Sequence, residues 1–534
     1  MTYRVITPDT GAVMAKWNIP ALPAAAIGAS SLSDEQITEL LNPSEQLTDS
    51  GCEALDRVCR RLMKARSSSE KVFTAGDYDA DGICSTALMK DILDRLGIAN
   101  GYYIPDRFKE GYGLSEATVK LAHEKGYSLI VTVDNGVKCF GALKLAKDLG
   151  MDVIVTDHHT IEEEVPCDIL LHPDVMEPRY AFLSGAGVVL QISRKLFGDI
   201  PMHTAIAAIA LIGDVMPVWR ENRPIIRAGL RAIERGELPA VLPLLRRGSA
   251  VDETAVSYQI VPKLNSVARM NDTSNVNTVV PFLLCRRKDQ IDHYASQLER
   301  VNGARRRRSD AMVKRALELV NNDPFPVIFD ETFFEGVNGI AAGRLAKTWH
   351  KPVLVFARHD DLLKGSGRSI DGFDMYSFFS GFEELEQFGG HTGAVGIAVK
   401  ESRYEEFCSH VRSRMSDVVL PENEPEDPAF LIDADHLNFD EVSAFEALRP
   451  FPKELVTACA VRQPAVRSVN AYDRVIRYQF SNSCGGYEGV QFVSGKADPQ
   501  RDIPWLIGDP GISRFRDRVR IEVRIAALEA KSGG

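Results

Sequence analysis

Between residues 71 and 197 the apolar positions switch repeatedly between two periods. Short runs fit strands at Lys71–Ala75, Gly101–Ile104, Ser128–Val133, Asp152–Thr156 and Asp168–Leu171. Between them, spacings of three and four predict helices at Ile83–Leu96, Ser115–Glu124, Lys138–Leu149 and Ala186–Phe197. Strictly alternating strands and helices imply an α/β domain with a doubly wound, mostly parallel sheet, whose ligands bind at the carboxyl ends of the strands. Before it, Ser33 caps a helix through Leu41 and another runs from Ser50 to Lys64. We read residues 1–45 as a lead-in packed on this first domain, which spans residues 46–221.

Residues 222–322 lose the alternation and read as a helical connector, ending in a long helix over Gln290–Val320 that carries the basic run Arg305–Arg308. Strand and helix patterns return over residues 323–419, a second, smaller α/β domain. The Pro- and Glu-rich stretch LPENEPEDPAF reads as a linker. Residues 431–534 then hold short strand-like runs, which predict a small β-barrel. Its aromatics Tyr472, Tyr478, Phe480, Tyr487, Phe492 and Trp505 are interspersed with Arg467, Arg474, Arg477, Lys496 and Arg501. Most of the aromatics belong in the barrel core on this reading.

The chemistry is concentrated at the predicted strand ends. TAGDYDADGICS places Asp77, Asp79 and Asp81 at every second position after the first strand, where mutual repulsion calls for a cation. VDNG supplies Asp134, TDHH supplies Asp157, His158 and His159, and GDVMP supplies Asp214 after the apolar run Ile206–Ile212. Each has an ordinary explanation alone, as a turn or a helix end. Converging on one sheet edge, they read as a site for Mn²⁺ or Mg²⁺ rather than thiolate-bound zinc. Six or seven such groups exceed one ion's need, so two ions are the natural count, as in hydrolysis of phosphoesters or phosphoanhydrides.

Composition narrows the class. The chain has 534 residues, 45% hydrophobic and 26% charged, and a net charge of −11 that argues against general coating of polyanions but not against a local basic groove. Nine cysteines occur without a C-x-x-C pair, which fits reduced thiols. No apolar run reaches membrane-spanning length and the N-terminus lacks a signal-peptide core, so a cytoplasmic location is expected.

Together GDYDADG, VDNG, TDHH and GDVMP resemble the metal motifs of the DHH phosphoesterase superfamily, and the wider pattern resembles its RecJ single-stranded-DNA exonuclease branch. PDRFKEGYGLS, SGAGVVLQI, PKLNSVARMND, GSGRS and FGGHTGAVGIAV follow in the family's order. The resemblance implies a DHH domain, a DHH-associated (DHHA1) domain and an OB-fold, the last binding strands through its aromatics. It implies metal ligation by Asp77, Asp79, Asp81, Asp134, His158 and Asp214, with Asp134 bridging. Catalytic roles fall to Asp134, Asp157, His158 and His159. His159 is open between ligand, phosphate-orienting group and proton donor. Substrate contacts are implied at Arg107, Tyr112, Asn265, Arg269, Ser366, Arg368, Ser369, Gly389, Gly390 and His391. GSGRS suits phosphate through backbone N–H groups and a guanidinium fork, and Gly389–Thr392 reads as a glycine-rich turn.

The activity implied is a two-metal, Mn²⁺- or Mg²⁺-dependent exonuclease degrading single-stranded DNA to 5′-mononucleotides, 5′ to 3′, in repair and recombination. A single-strand-binding protein or a helicase would be a further partner, and no membrane is implied. Competing readings are a phosphodiesterase for short oligonucleotides or cyclic dinucleotides and a catalytically silent DNA-binding relative. The position where pyrophosphatase relatives carry a histidine is Ala75 here.

Overall fold

In the computed structural model the described residues are 2–44, 46–319, 323–421, 426–493, 498–515 and 518–529. The chain divides into two compact units. One comprises Met1–Leu264, Val276–Ala295 and Glu426–Gly534, the other Asn265–Asn275 and Ser296–Pro425.

In the first unit, strand β1 (Thr2–Ile6) is followed by β2 (Val72–Ala75), β3 (Asn100–Tyr103), β4 (Leu129–Val133), β5 (Asp152–Thr156) and β6 (Ile169–Leu171). The last five form an all-parallel sheet in the order β3-β2-β4-β5-β6. β2 and β4 are buried at every residue, as a sheet covered on both faces requires. Phe73, Ile130 and Val153 face the helices Glu116–Glu124 and Phe140–Asp148 through Val119 and Leu143. The other face meets the helices Ala80–Arg95 and Gly185–Phe197. Strand order reverses between β2 and β4, and at such a reversal adjacent crossovers leave opposite faces and open a crevice at the strands' carboxyl ends.

The expected strands are all present, each within a residue of its anticipated bounds. The first helix begins at Ala80 rather than Ile83, because the Asp79 side chain accepts from the backbone N–H groups of Asp81 and Gly82 and starts it early. The connector is helical, as expected, with Asn222–Glu234, Val261–Arg269, Val279–Leu283 and the 32-residue helix Lys288–Leu319.

The second unit holds β7 (Val327–Phe329), β8 (Val353–His359), β9 (Leu362–Arg368), β10 (Leu385–His391) and β11 (Ala394–Lys400), in the order β10-β11-β9-β8-β7. Only β7 and β8 are parallel, joined through the helix Asn338–Trp349. Phe325, Phe356, Phe378, Phe379 and Phe407 fill one side of the sheet.

The C-terminal strands β12 (Glu426–Leu431), β13 (Cys459–Arg462), β14 (Ala465–Tyr472), β15 (Val475–Ser481), β16 (Tyr487–Phe492), β17 (Trp505–Phe515) and β18 (Arg518–Ala527) belong to the first unit. They form one mixed, mainly antiparallel sheet in the order β1-β12-β13-β17-β18-β16-β15-β14. The N-terminal segment joins the C-terminal sheet as well as touching the first domain: β1 pairs with β12, Leu22, Ile27, Ile37 and Leu40 share a core with Phe430, Phe445, Tyr478, Phe480 and Trp219, and Glu39 accepts from the Arg220 N–H. Burial of that apolar set supplies the reason, since at about 25 cal/mol per Å² each such side chain contributes roughly 1.5–3 kcal/mol.

Tyr478, Phe480 and Tyr487 are core residues, as anticipated for most of the aromatics, while Tyr472 and Phe492 are exposed. Lys496 lies outside the described residues. No helix among the described residues is long and apolar enough to cross a membrane. All nine cysteines are free thiols.

Candidate metal centre

Asp77, Asp79 and Asp81 follow β2, Asp134 follows β4, and Asp157, His158 and His159 follow β5, so the strand-order reversal brings all seven to one end of the sheet. Asp214 arrives differently. It caps the C-terminus of the helix Pro201–Gly213 instead of ending a strand. Donor atoms of Asp77, Asp79 and Asp134 lie within 4.8 Å of one another, as do those of Asp81, His158 and Asp214, and those of Asp134, His158 and His159. His158 Nε2 is 3.2 Å from Asp134 Oδ1, 3.6 Å from Asp214 Oδ2 and 3.7 Å from Asp81 Oδ2.

This is an electrostatically unfavourable cluster by itself. Burial, then Asp79, pushes the Asp77 carboxyl well up. Burial and Asp81 raise Asp79. Burial and the charges of Asp81, Asp79 and Asp77 raise Asp134, and Asp214 is pushed up to about 7 by burial, then Asp81 and Asp79. Burial lowers His158, keeping its imidazole neutral and able to coordinate. Oδ1 of Asp77 and Oδ1 of Asp134 are buried with no hydrogen-bond partner. Unpaired buried carboxylate oxygens beside a neutral imidazole fit hard divalent cations, which supply the missing charge.

Other groups hold this set in place. Asp81 accepts from Ser184 Oγ at 3.1 Å and from the backbone N–H groups of Gly185 and Ala186 at 2.7 and 2.8 Å, at the N-terminus of the helix Gly185–Phe197. Gly185 has to be glycine, because a Cβ there would stand 2.5 Å from Asp134 Cβ. Asp134 has φ of 61°, a strained left-handed backbone of the sort held at functional sites. Asn135, read from sequence only as part of a turn, is a buried clamp. Its Nδ2 donates to the carbonyls of Ala75 and Val133, and its Oδ1 accepts from Leu114 N–H, tying β2 to β4 beneath the ligands.

Asp157 does not face this cluster. Its oxygens accept from Val137 N–H, His158 N–H and His159 N–H, and from His159 Nδ1 at 2.8 Å. It acts through His159. Burial works to lower the His159 pKa, but the bond to Asp157 and its charge outweigh burial, and the net shift is upward. Tyr112 Oη donates to the Asp134 carbonyl at 3.0 Å and lies 3.1 Å from His159 Nδ1. The ring of Tyr112 meets Tyr78 edge-on, and the Arg107 guanidinium covers Tyr78 at 5.0 Å. SGAGVVLQI and GDYDADG contain Ser184 and Tyr78 without marking their roles, and sequence gave no signal for His172, whose Nε2 hydrogen-bonds the His159 carbonyl.

In the second unit, strand register aligns the residues anticipated as substrate contacts. Arg368, Ala394 and His391 form one cross-strand row, and Ser366, Gly396 and Gly389 form the next row on the same face. A Cβ on Gly389 or Gly396 would meet nothing within 4 Å, so this face has an open glycine floor edged by Arg368 and His391. Arg368 Nη1 donates to Ser366 Oγ at 3.1 Å.

Two expectations for this unit change. Gly365 to Arg368 of GSGRS lie in β9, which pairs with β8 and β11 on both sides, and the Ser369 N–H donates to the Gly393 carbonyl, so the backbone is engaged and side chains remain for phosphate. Gly389 to His391 form the end of strand β10 rather than a turn, the chain reversing at Thr392 and Gly393. Ser369 Oγ donates to the carbonyls of Phe373 and Ile370. Asn265 and Arg269 share the helix Val261–Arg269 at a four-residue spacing, hence one helix face.

Known proteins match this arrangement. The family model "DHH family, N-terminal domain" matches residues 71–213, and "DHHA1 domain" matches residues 322–417. The single-stranded-DNA-specific exonuclease RecJ of Bacillus subtilis is 31% identical over 496 residues, covering 87% of this chain and 62% of the relative. RecJ of Escherichia coli is 30% identical over 392 residues, 66% of this chain and 67% of the relative. The crystal structure of RecJ with Mn²⁺ from Thermus thermophilus superposes with a TM-score of 0.81 at 22% identity, covering 100% of this chain and 80% of that one. The chain thus spans somewhat under two thirds of the B. subtilis relative and two thirds of the E. coli one. With the DHH and DHHA1 models matching in order and this identity across two thirds of a relative, the chain belongs to the RecJ family.

Proposed function

We propose that this chain is a metal-dependent exonuclease that hydrolyses single-stranded DNA from the 5′ end to nucleoside 5′-monophosphates, using two Mn²⁺ or Mg²⁺ ions. The observation that carries the reading is the partly buried cluster of carboxylates around His158, with partnerless oxygens on the buried Asp77 and Asp134. A binding protein gains nothing from crowding such charges where DNA phosphates must approach. Asp77, Asp79 and Asp134 would hold one ion, and Asp81, His158 and Asp214 the other, with Asp134 and His158 adjacent between them. When bound, such a pair activates water for in-line attack at phosphorus and neutralises the charge developing on the leaving oxygen.

The chain's own groups do the rest. Asp157 favours the protonated His159 imidazole and fixes its rotation, placing it to give a proton to the departing 3′ oxygen. Tyr112 Oη also contacts Nδ1 of the same ring and helps to restrain it. Arg368, Ser366 and His391, around the glycine floor, grip strand phosphates by side chain. The Bacillus and Escherichia relatives are named as single-stranded-DNA-specific exonucleases, which supports this choice of substrate over cyclic dinucleotides. We place the protein in the cytoplasm with chromosomal DNA, where a helicase or a single-strand-binding protein would supply its substrate.

The test uses Mn²⁺ and single-stranded DNA labelled at either end, beside a blunt duplex. Immediate release of 5′ label as mononucleotide, gradual shortening of 3′-labelled strand and resistance of the duplex are expected. Cleavage of dinucleotides alone, or binding without hydrolysis, would refute the proposal.

A further inference from the structure

A second polar cluster lies outside the candidate site and is not used by the chemistry above. Ser193 Oγ is 2.5 Å from His203 Nδ1, and His203 Nε2 is 2.7 Å from Asp91 Oδ2. Arg95 also pairs with Asp91, one turn further along the same helix. The order serine, histidine, aspartate has the form of a hydrolytic triad, but Ser193 and His203 are completely buried, so no substrate reaches them. With Asp91 ionised, Nε2 carries the proton and Nδ1 accepts from the Ser193 hydroxyl. All three groups are then satisfied within the protein.

The location of this relay gives it a role. Its members stand on three mutually packed helices: Asp91 on Ala80–Arg95, Ser193 on Gly185–Phe197 and His203 on Pro201–Gly213. The opposite ends of the same three helices build the candidate metal centre. Asp79 caps the first and Asp81 lies in its opening turn. Gly185 and Ala186 N–H groups at the start of the second hold Asp81, and Asp214 caps the third. Gly213 abuts Ala80 at the near end, where a Cβ on the glycine would come within 3.2 Å of Ala80 Cβ. The first and third helices therefore run antiparallel, pinned at 80/213 and again at 91/203, about 16 Å apart by helical rise.

Ridge-into-groove packing of apolar helix faces still permits small shear displacements. A buried hydrogen-bonded relay has one register only, since any slip strands the fully buried Ser193 and His203 without partners. A slip of about 1 Å at the far end would carry Asp214 away from Asp81 and His158 by a similar amount, and displacements of that size are enough to impair a site.

Resting on the metal reading above, we propose that Ser193, His203 and Asp91 are positioning residues: their relay sets the register of three helices and so holds Asp214 at ligand distance from Asp81 and His158.

The test is Mn²⁺ titration of the full chain followed by electron paramagnetic resonance, with thermal unfolding in EDTA measured alongside. Wild type is expected to take up two ions. His203→Leu is expected to bind the second ion about tenfold more weakly, the scale of losses when ligand-orienting groups are removed, and to alter the signature of the ion pair. His203→Gln, whose amide can still donate to Asp91, is expected to recover part of that loss. Native Mn²⁺ affinity and an unchanged signature in His203→Leu, even with a lowered unfolding temperature, would overturn the positioning role. Should His203→Leu not fold, Ser193→Ala removes one hydroxyl and is expected to weaken the second ion about threefold, in keeping with one hydrogen bond. Unchanged affinity there would overturn the proposal equally. Failure of wild type to bind two ions would instead take down the metal reading itself.

Discussion

His158 Nε2 stands 3.2 Å from Asp134 Oδ1, and each of these residues takes part in two of the three ligand groupings. Asp134 joins the set with Asp77 and Asp79, and His158 the set with Asp81 and Asp214. A change at Asp134 therefore reaches both ion positions. Asp134→Asn, close in shape but uncharged, is expected to reduce hydrolysis by more than about a hundredfold, beyond the usual loss at groups that only orient ligands. Strand binding should persist, because the phosphate-gripping side chains are elsewhere. Single-turnover kinetics beside strand binding in EDTA would check both halves, and substantial turnover would remove the bridging assignment.

The same crowding makes the metal-free protein pH-sensitive. Asp214 is raised to about 7 when folded, against an ordinary carboxyl near 4. Its folded pKa lies above its unfolded one, so its contribution to stability is full below about pH 4 and is lost as pH rises toward 7. Asp77, Asp79 and Asp134 shift in the same direction. In EDTA, Asp214→Asn should match wild type near pH 4 and unfold at a higher temperature by pH 8. Mn²⁺ should abolish that advantage. Equal melting temperatures across the pH range would show that Asp214 is not electrostatically strained.

Asp157 and His159 separate orientation from metal binding. Both Asp157 oxygens are occupied by His159 and backbone N–H groups, so Asp157→Asn should leave Mn²⁺ affinity nearly unchanged while removing the charge that raises His159. If His159 donates the proton, its lower pKa shifts the alkaline limb of the kcat profile to lower pH. Tyr112→Phe removes only a hydroxyl contact to the ring, so it should lower kcat without moving that limb. A profile unchanged in Asp157→Asn would leave His159 a phosphate-orienting group.

The contrast between Asp134 and Asp214 explains what sequence could reveal. Asp134, Asp157 and His158 follow strands of five residues each, and short, nearly continuous apolar runs mark such doubly covered strands locally, so their shared edge follows from the alternation of strands and helices alone. Asp214 ends an almost wholly apolar helix, Pro201–Gly213, whose even coverage hides its period. The partnership of β1 with β12 was illegible for another reason: Thr2 pairs with Glu426, and no local pattern encodes contact across so long a separation. GSGRS suggested backbone N–H groups free for phosphate because glycine and serine are common where backbone cradles an anion. In the fold Gly365 and Gly367 are strand residues that make room for Phe356 and for Met375 and Val395. The Ser193, His203 and Asp91 relay left no trace, since each residue is unremarkable at its own position.

Gly389 and Gly390 are adjacent in sequence but answer different demands. Gly390 has φ of 142°, and a Cβ there would stand 2.3 Å from the Ala394 carbonyl oxygen. Gly390→Ala is expected to cost about 1–3 kcal/mol of stability in the second unit, the usual range for a side chain forced into such a backbone. Gly389 has ordinary backbone angles and open space where its Cβ would be, so Gly389→Ala should leave the unfolding temperature unchanged. What that methyl does enter is the open glycine row next to Arg368 and His391, where we place the strand. KM for single-stranded DNA should therefore rise several-fold in Gly389→Ala with kcat preserved. Thermal unfolding and steady-state kinetics on the two variants divide the roles. If Gly389→Ala keeps its KM, the glycine floor does not carry the strand, and the grip belongs to side chains at the rim alone.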